Sequence, residues 1–198
     1  MTQKVEELAK KAHLSKVPEL CVSKTERLAH VNVFQWRISV GEYLLSQWAQ
    51  GNFDEADVEA TLAHEIGHLM DFNRNSKSSS FRNLLLESVW LAFGVVPLAV
   101  YLLLPSLASM VFCLVLAAGW GFSLPWIVRY IEVHVELEAD RKAALFLVKP
   151  QQLADALLKI SSFGVPVSKF GLAGRLSFLA GTLTHPTFRD RVRHLQAL

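Results

Sequence analysis

Two long apolar segments in the middle of the chain place the strongest constraint on its fold. They cover residues 84–104 and 107–128, are separated by Pro105 and Ser106, and contain Glu87 as their only charged residue. Each has roughly 20 residues, which at a rise of about 1.5 Å per residue matches a hydrocarbon core about 30 Å thick. The sequence therefore predicts a hairpin of two transmembrane helices rather than a buried helical pair. The short connector leaves a re-entrant hairpin open as the alternative.

The stretches on either side of this hairpin have ordinary mixed composition, although 52% of the whole chain is hydrophobic. The apolar excess is thus local, which indicates a membrane insert in a water-facing domain. We expect residues 1–82 to form the N-terminal half of that domain, residues 83–130 the transmembrane hairpin, and residues 131–198 the C-terminal half.

Local patterns predict the fold class of the water-facing domain. Apolar residues at helical spacing indicate an amphipathic helix over residues 2–14 and a longer helix over residues 52–71, for which Asp54 is the N-cap. Between them, loosely alternating apolar residues from 19 to 45 predict two or three short strands. Proline and glycine divide residues 131–198 into two or three helices. The expected class is mainly α with a small β-sheet (α+β).

Charges around the hairpin predict its orientation. Basic residues lie on both sides of it, whereas the connector is uncharged; they are Arg74, Lys77 and Arg82 before it and Arg129, Arg141 and Lys142 after it. By the positive-inside rule both halves of the domain face the cytosol. We therefore expect an integral membrane protein of a prokaryotic plasma membrane, with the lipid bilayer as a partner. A net charge of +2 without a basic tract does not suggest nucleic acid as a partner.

Two histidines four positions apart carry the first part of a metal site, in the segment His64-Glu65-Ile66-Gly67-His68. In a helix His64 and His68 share one face, where both imidazoles can reach a single Zn²⁺ ion. Glu65 is turned so that its carboxylate reaches a zinc-bound water instead of the metal. This pattern predicts one catalytic zinc ion with Glu65 as the general base of a hydrolysis reaction.

A catalytic zinc normally takes a third protein ligand and leaves a fourth position for water. The candidates lie in an acidic cluster just after the hairpin, which contains Glu132, His134, Glu136, Glu138 and Asp140. Glu132, Glu136 and Asp140 share a helical face at a spacing of four, whereas Glu138 points elsewhere. Spacing alone therefore leaves Glu132 and Glu136 as equal candidates for the third ligand.

The end of this cluster, Glu136-Leu137-Glu138-Ala139-Asp140, resembles the Glu-x-x-Ala-Asp motif of the membrane zinc metallopeptidases that include HtpX and the CAAX prenyl protease. Residues 59–68 are also similar to the helix that carries the two histidines in that family. The resemblance implies a zincin-like metallopeptidase domain interrupted by the hairpin. It further implies that Glu136 is the third zinc ligand and that Asp140 supports the metal site from behind the ligands.

Two further segments resemble the same family. Residues 31–34, with Asn32, are similar to its Asn-Ala-Phe segment, and the strand after them, from Ile38 to Leu45, would be an edge strand for extended substrate. Residues 184–192 are similar to its Thr-His-Pro segment, with an arginine six residues after the histidine. The resemblance implies that Asn32 binds substrate and that His185 and Arg191 are catalytic donors to the substrate backbone or to the developing oxyanion.

The whole sequence favours a zinc-dependent endopeptidase that hydrolyses membrane or membrane-proximal proteins at the cytosolic membrane surface. A CAAX-type protease of prenylated proteins is less favoured, because this chain offers few spans for the large enclosed chamber of those enzymes. A non-catalytic, zinc-containing membrane adaptor is the other alternative. Glu65 argues against the adaptor, because a purely structural zinc site has no use for a general base. A partner subunit or an oligomer is left open.

Overall fold

The computed structural model describes residues 1–24, 26, 28–74, 88, 95–103, 106–147, 149, 151–163 and 186–198. The elements in these ranges are, in chain order, α1 (Thr2–Lys11), β1 (Glu19–Ser23), β2 (Ala29–Asn32), β3 (Arg37–Gly41), α2 (Glu42–Ala49), α3 (Glu55–Arg74), α4 (Val96–Leu103), α5 (Leu107–Phe146), α6 (Gln151–Ser162) and α7 (Phe188–Gln196). The predicted class, mainly α with a small β-sheet, is confirmed.

The sheet contains three strands in the order β1-β3-β2. Strand β3 pairs in parallel with β1 and antiparallel with β2, where Val31 lies opposite Ile38. The prediction of an edge strand from Ile38 to Leu45 is wrong on two points, since β3 is central and ends at Gly41. Gly41 is the N-cap of α2, and Glu42 in the first turn interacts favourably with the helix dipole. The edges of the described sheet are β1 and β2.

Helix α3 begins where the sequence predicts. Asp54 Oδ1 accepts a hydrogen bond from the backbone N–H of Asp57 at 2.9 Å, and Asp57 Oδ2 accepts one from the N–H of Asp54 at 2.8 Å. This reciprocal pair satisfies two donors at the helix start. Beyond it the apolar residues that recur at helical spacing are buried, namely Val58, Leu62, Ile66 and Leu69. They lie in a core where α3 packs against α5, α6 and β2.

Helix α5 joins the second apolar segment to the acidic cluster without a break. It has 40 residues and is capped by Ser106, whose side chain accepts from the N–H of Ser109. At about 1.5 Å per residue it is about 60 Å long. Most of the first predicted membrane helix, residues 84–87, 89–94 and 104, lies outside the described residues. Within the ranges that are described, none of the helices combines the length and the apolar character that crossing a membrane requires.

Candidate metal centre

Helix α3 presents His64 and His68 on one face, as their spacing predicts. Their Nε2 atoms are 3.2 Å apart, and their ring centroids are separated by 4.7 Å. His64 is buried, with 8% of its surface exposed, and His68 is half-buried. The two Nε2 atoms therefore lie close together in a largely buried setting.

Helix α5 brings one carboxylate to this point. Glu136 Oε2 lies 3.3 Å from His64 Nε2, and Glu136 Oε1 lies 3.5 Å from His68 Nε2. Among the described residues, His64, His68 and Glu136 form the group whose ligand atoms all lie within 4.8 Å of one another and could hold an ion. Glu132, the other candidate from spacing, does not belong to this group. Two imidazoles and one carboxylate are a donor set that suits catalytic zinc.

A pair of small residues allows the two helices to approach this closely. A Cβ atom added at Gly67 would lie 2.5 Å from the backbone oxygen of Ala139, which is closer than real Cβ atoms come to any neighbour. Ala139 itself is completely buried. Gly67 precedes His68, and Ala139 lies in the turn after Glu136, so the contact between the helices sits directly beside the metal-binding group. The glycine is required here for close packing rather than for an unusual backbone conformation.

Asp140 and Arg191 form a buried layer behind the histidines. Asp140 Oδ1 lies 2.8 Å from His64 Nδ1, the ring nitrogen that faces away from Glu136. From α7, Arg191 donates to both oxygens of Asp140, through Nε at 2.7 Å and through Nη2 at 2.6 Å. Arg191 Nη1 also lies 3.3 Å from Glu136 Oε2. The Arg191 guanidinium thus contacts two carboxylates: that of Asp140, which orients His64, and that of Glu136, which completes the metal-binding group.

The electrostatics of this layer favour positive charge at His64. Burial and the Arg191 guanidinium lower the pKa of His64, but hydrogen bonds to Asp140 and Glu136 outweigh them and raise it to about 9. Burial raises the pKa of Glu136, but its contacts with His64 and His68 bring that pKa far below its usual range. The pKa of Asp140 is lowered in the same way against burial, by Arg191 and His64. Two carboxylates that stay ionised suit a site for a cation.

The model of peptidase family M48 matches residues 1–198, the full length of the chain. The chain belongs to peptidase family M48. It is therefore a metallopeptidase, which confirms the general class of enzyme that the sequence predicts. Comparison with curated proteins and comparison with solved structures each returned no significant match.

The remaining predicted residues of this M48 peptidase lie in different settings. Glu65 is buried, with 7% of its surface exposed. Burial lowers the pKa of Arg191, but Asp140, Glu136 and Glu65 together raise it. Asn32 ends β2, and its Oδ1 accepts from the N–H of Gln35 at 3.0 Å, so part of its side chain stabilises the turn into β3. His185 lies outside the described residues.

Sequence reasoning missed two features of the M48 site. One is the contact between Gly67 and Ala139. The sequence indicated it only by placing a small residue beside each half of the metal motif. The other is the partner of Arg191, which the resemblance assigned to substrate and the structure places on Asp140. Arg191 and Asp140 are 51 positions apart, so their pairing has no local sequence signature.

Proposed function

We propose that this chain is a zinc-dependent endopeptidase that works at the cytosolic face of a membrane and hydrolyses membrane or membrane-proximal proteins. The observation that carries the proposal is the convergence of His64 and His68 with Glu136, which lies 68 positions after His68 in the sequence. Glu65, buried next to His64, supplies the acid–base group that a hydrolase needs and a structural metal site does not. Family membership supports the same reaction class.

His64, His68 and Glu136 would hold the zinc ion. When bound, zinc supplies an acidified water and polarises the scissile carbonyl group. Glu65 takes a proton from the attacking water at a carboxylate oxygen and then delivers it to the nitrogen of the leaving amine. Asp140 fixes the ring of His64 by accepting from its Nδ1, and a carboxylate in that position also raises the basicity of the ligand.

The substrate-facing roles follow from the resemblance. We propose His185 as a donor to the substrate or to the developing oxyanion, and the Asn32 amide nitrogen as a donor to the substrate backbone. We assign Arg191 a positioning role instead of the predicted catalytic one, because its Nε and Nη2 are committed to Asp140. Strand β2, an edge of the described sheet that packs against α3, is the strand along which an extended substrate would pair.

Exposed apolar side chains support the membrane part of the proposal. Helices α4 and α5 carry a series of large hydrophobic residues on their surface: Tyr101, Leu102, Leu103, Leu107, Val111, Phe112, Leu114, Val115, Phe122 and Trp126. A patch of this extent is rare on a protein surface that faces water only. We propose that a lipid bilayer covers it, with the hairpin either spanning or re-entrant, and that a prokaryotic plasma membrane is the location.

The experiment that tests the reaction compares the wild type with Glu65→Gln and with Glu138→Gln, purified in detergent. Glu138 offers the matched control, because it carries the same side chain on the exposed surface of α5. We expect all three proteins to bind one zinc ion, measured by elemental analysis. Casein cleavage should fall by about 10²–10⁴-fold in Glu65→Gln only, the range for loss of a general base.

Equal cleavage by the wild type and Glu65→Gln would show that the proposed mechanism is wrong. A zinc-loaded wild type that cleaves neither casein nor itself would replace the proposal with the adaptor alternative.

A further inference from the structure

Helix α5 connects the apolar surface of the protein directly to its metal-binding group. The first part of the helix exposes large apolar side chains, and Glu136 lies in its second part. We infer that this continuous helix fixes the distance between the bilayer and the active site, so that the enzyme selects bonds in membrane-anchored chains by their distance from the lipid. This inference rests on the proposed function, and it holds for a spanning and for a re-entrant hairpin.

The boundary between the apolar and the polar part of α5 is marked by aromatic residues. Trp126 and Tyr130 are each 66% exposed, and Arg129 between them is the first charged residue after the apolar segment. Tryptophan and tyrosine prefer the interface between lipid and water, where the ring is shielded and the polar group stays hydrated. We therefore place this turn of α5 at the level of the lipid headgroups.

The distance from this boundary to the site follows from helix geometry. Glu136 comes ten residues after Trp126 and six residues after Tyr130. At about 1.5 Å per residue these separations correspond to about 15 Å and about 9 Å along the helix axis. A typical helix tilt of about 20° shortens them by less than a tenth. The metal-binding group is thus expected just outside the headgroup region.

Packing around the second part of α5 keeps the site at this height. Gly67 of α3 lies directly against the backbone of Ala139 in α5. The two helices are therefore in close contact beside the metal-binding group. On another side, Arg191 of α7 is held on Asp140 by two hydrogen bonds. Glu136 therefore lies on the same continuous helix as Trp126 and Tyr130, and the two histidines are held against that helix by the packing of α3.

A substrate chain leaving the membrane must cover the same distance. An extended polypeptide advances about 3.3 Å per residue, so about 9–15 Å corresponds to about three to five residues. A bond closer to the lipid than this cannot reach the metal-binding group without pulling apolar residues into water. A bond farther away can reach it, but the effective concentration of a flexible tether falls gradually as the tether lengthens. The expected substrates are anchored chains with a cleavable bond shortly outside the bilayer.

The test uses one cleavable casein-derived peptide joined to a lipid anchor through Gly-Ser spacers of about 1, 4, 8 and 16 residues, chosen around the length of the extended path. The peptides and the purified full chain are placed in phosphatidylcholine vesicles, and the same peptide without an anchor serves as the reference. We expect cleavage at least tenfold slower with the shortest spacer than with the second, and a gradual decline toward the longest. Equal rates for the two shortest spacers would overturn the inference.

A pair of substitutions tests whether the aromatic boundary sets the height. Trp126→Ala should reduce the difference between the two shortest spacers at least threefold, without changing cleavage of the unanchored peptide. Leu145→Ala is the matched control, since Leu145 is an exposed apolar residue of α5 on the other side of Glu136. An unchanged spacer profile in Trp126→Ala would contradict the inference. Absence of zinc-dependent cleavage of the unanchored peptide would instead refute the proposed function, which separates the two failures.

Discussion

Two arginine–carboxylate pairs, whose carboxylates both lie on α5, have nearly the same geometry and opposite surroundings. Arg191 donates to both oxygens of Asp140 at 2.7 Å and 2.6 Å, and Arg141 donates to both oxygens of Glu138 at 3.0 Å and 2.8 Å. The Asp140 side chain is 0% exposed and that of Arg191 is 12% exposed, whereas Glu138 and Arg141 are 39% and 49% exposed. The two carboxylates lie two positions apart on one helix, and the pairs differ mainly in their exposure to water.

Burial, more than hydrogen-bond geometry, decides what such a pair does. In the exposed pair water replaces either partner at little cost, and measured values for such pairs are typically about 0–1 kcal/mol. In the buried pair neither charge can be left alone without a large desolvation penalty. The buried pair also joins three helices at the metal-binding group, because Asp140 contacts His64 of α3 and Arg191 comes from α7.

The largest expected effect is on the buried pair. Arg191→Ala removes the guanidinium and the two hydrogen bonds that it donates to the buried Asp140, and breaking a buried pair in this way typically costs about 3–5 kcal/mol of stability. In a chain of this size that corresponds to a decrease of roughly 6–20 °C in the midpoint of thermal unfolding. Circular dichroism of the purified protein in detergent measures this midpoint. The double variant Arg191→Ala with Asp140→Asn should recover part of the loss, because the buried side chain at position 140 is then neutral. A decrease below about 2 °C in Arg191→Ala would show that the pair is not the buried anchor described here.

Zinc affinity is expected to depend on pH through His64. Burial and Arg191 lower the pKa of His64, but Asp140 and Glu136 raise it to about 9. Below that pH a proton on His64 competes with zinc, so affinity should rise with pH, by up to about tenfold per unit, and level off above pH 9. The same proton also stabilises the metal-free folded protein. This contribution is complete at a pH below the ordinary pKa of histidine and is lost as pH rises through 9.

Titration with zinc in the presence of a competing chelator between pH 7 and 9 measures this rise. Asp140→Asn removes the hydrogen bond that favours the protonated ring, so the rise should end at a lower pH. Glu138→Gln changes the exposed pair only and should leave the curve unchanged. An affinity that is flat over this range in the wild type would show that His64 is neutral before zinc binds.

Local features of the sequence were sufficient for much of the fold. The start of α3 at the Asp54–Asp57 capping pair follows from hydrogen-bonding groups within one turn, and its buried face follows from residue spacing. The change from β3 to α2 at Gly41 was missed because the alternating pattern of residues 38–45 fits a short helix turn as well as a strand.

In the metal site, too, some features follow from local sequence and others depend on tertiary packing. His64 and His68 are four residues apart, so their meeting follows from helix geometry alone. The choice between Glu132 and Glu136 depends on how α5 is rotated against α3, and the contact of Gly67 with Ala139 sets that rotation. The pairing of Arg191 with Asp140 depends on where α7 docks. Both are products of tertiary packing, which spacing within one helix does not encode.

The smallest expected effect is on the exposed pair, and it completes the comparison. In Arg141→Ala the carboxylate of Glu138 stays in water and remains 3.6 Å from the ammonium group of Lys142, one turn along the helix. Pairs at this spacing on a helix surface contribute about 0.2–0.5 kcal/mol, and alanine is itself the best helix former, which offsets part of the loss. We therefore expect the thermal midpoint to change by less than about 2 °C, and the change to shrink further in high salt because exposed charges are screened. Zinc affinity should stay within about twofold of the wild type. A midpoint decrease similar to that of Arg191→Ala would mean that geometry, and not burial, determines the strength of these two pairs.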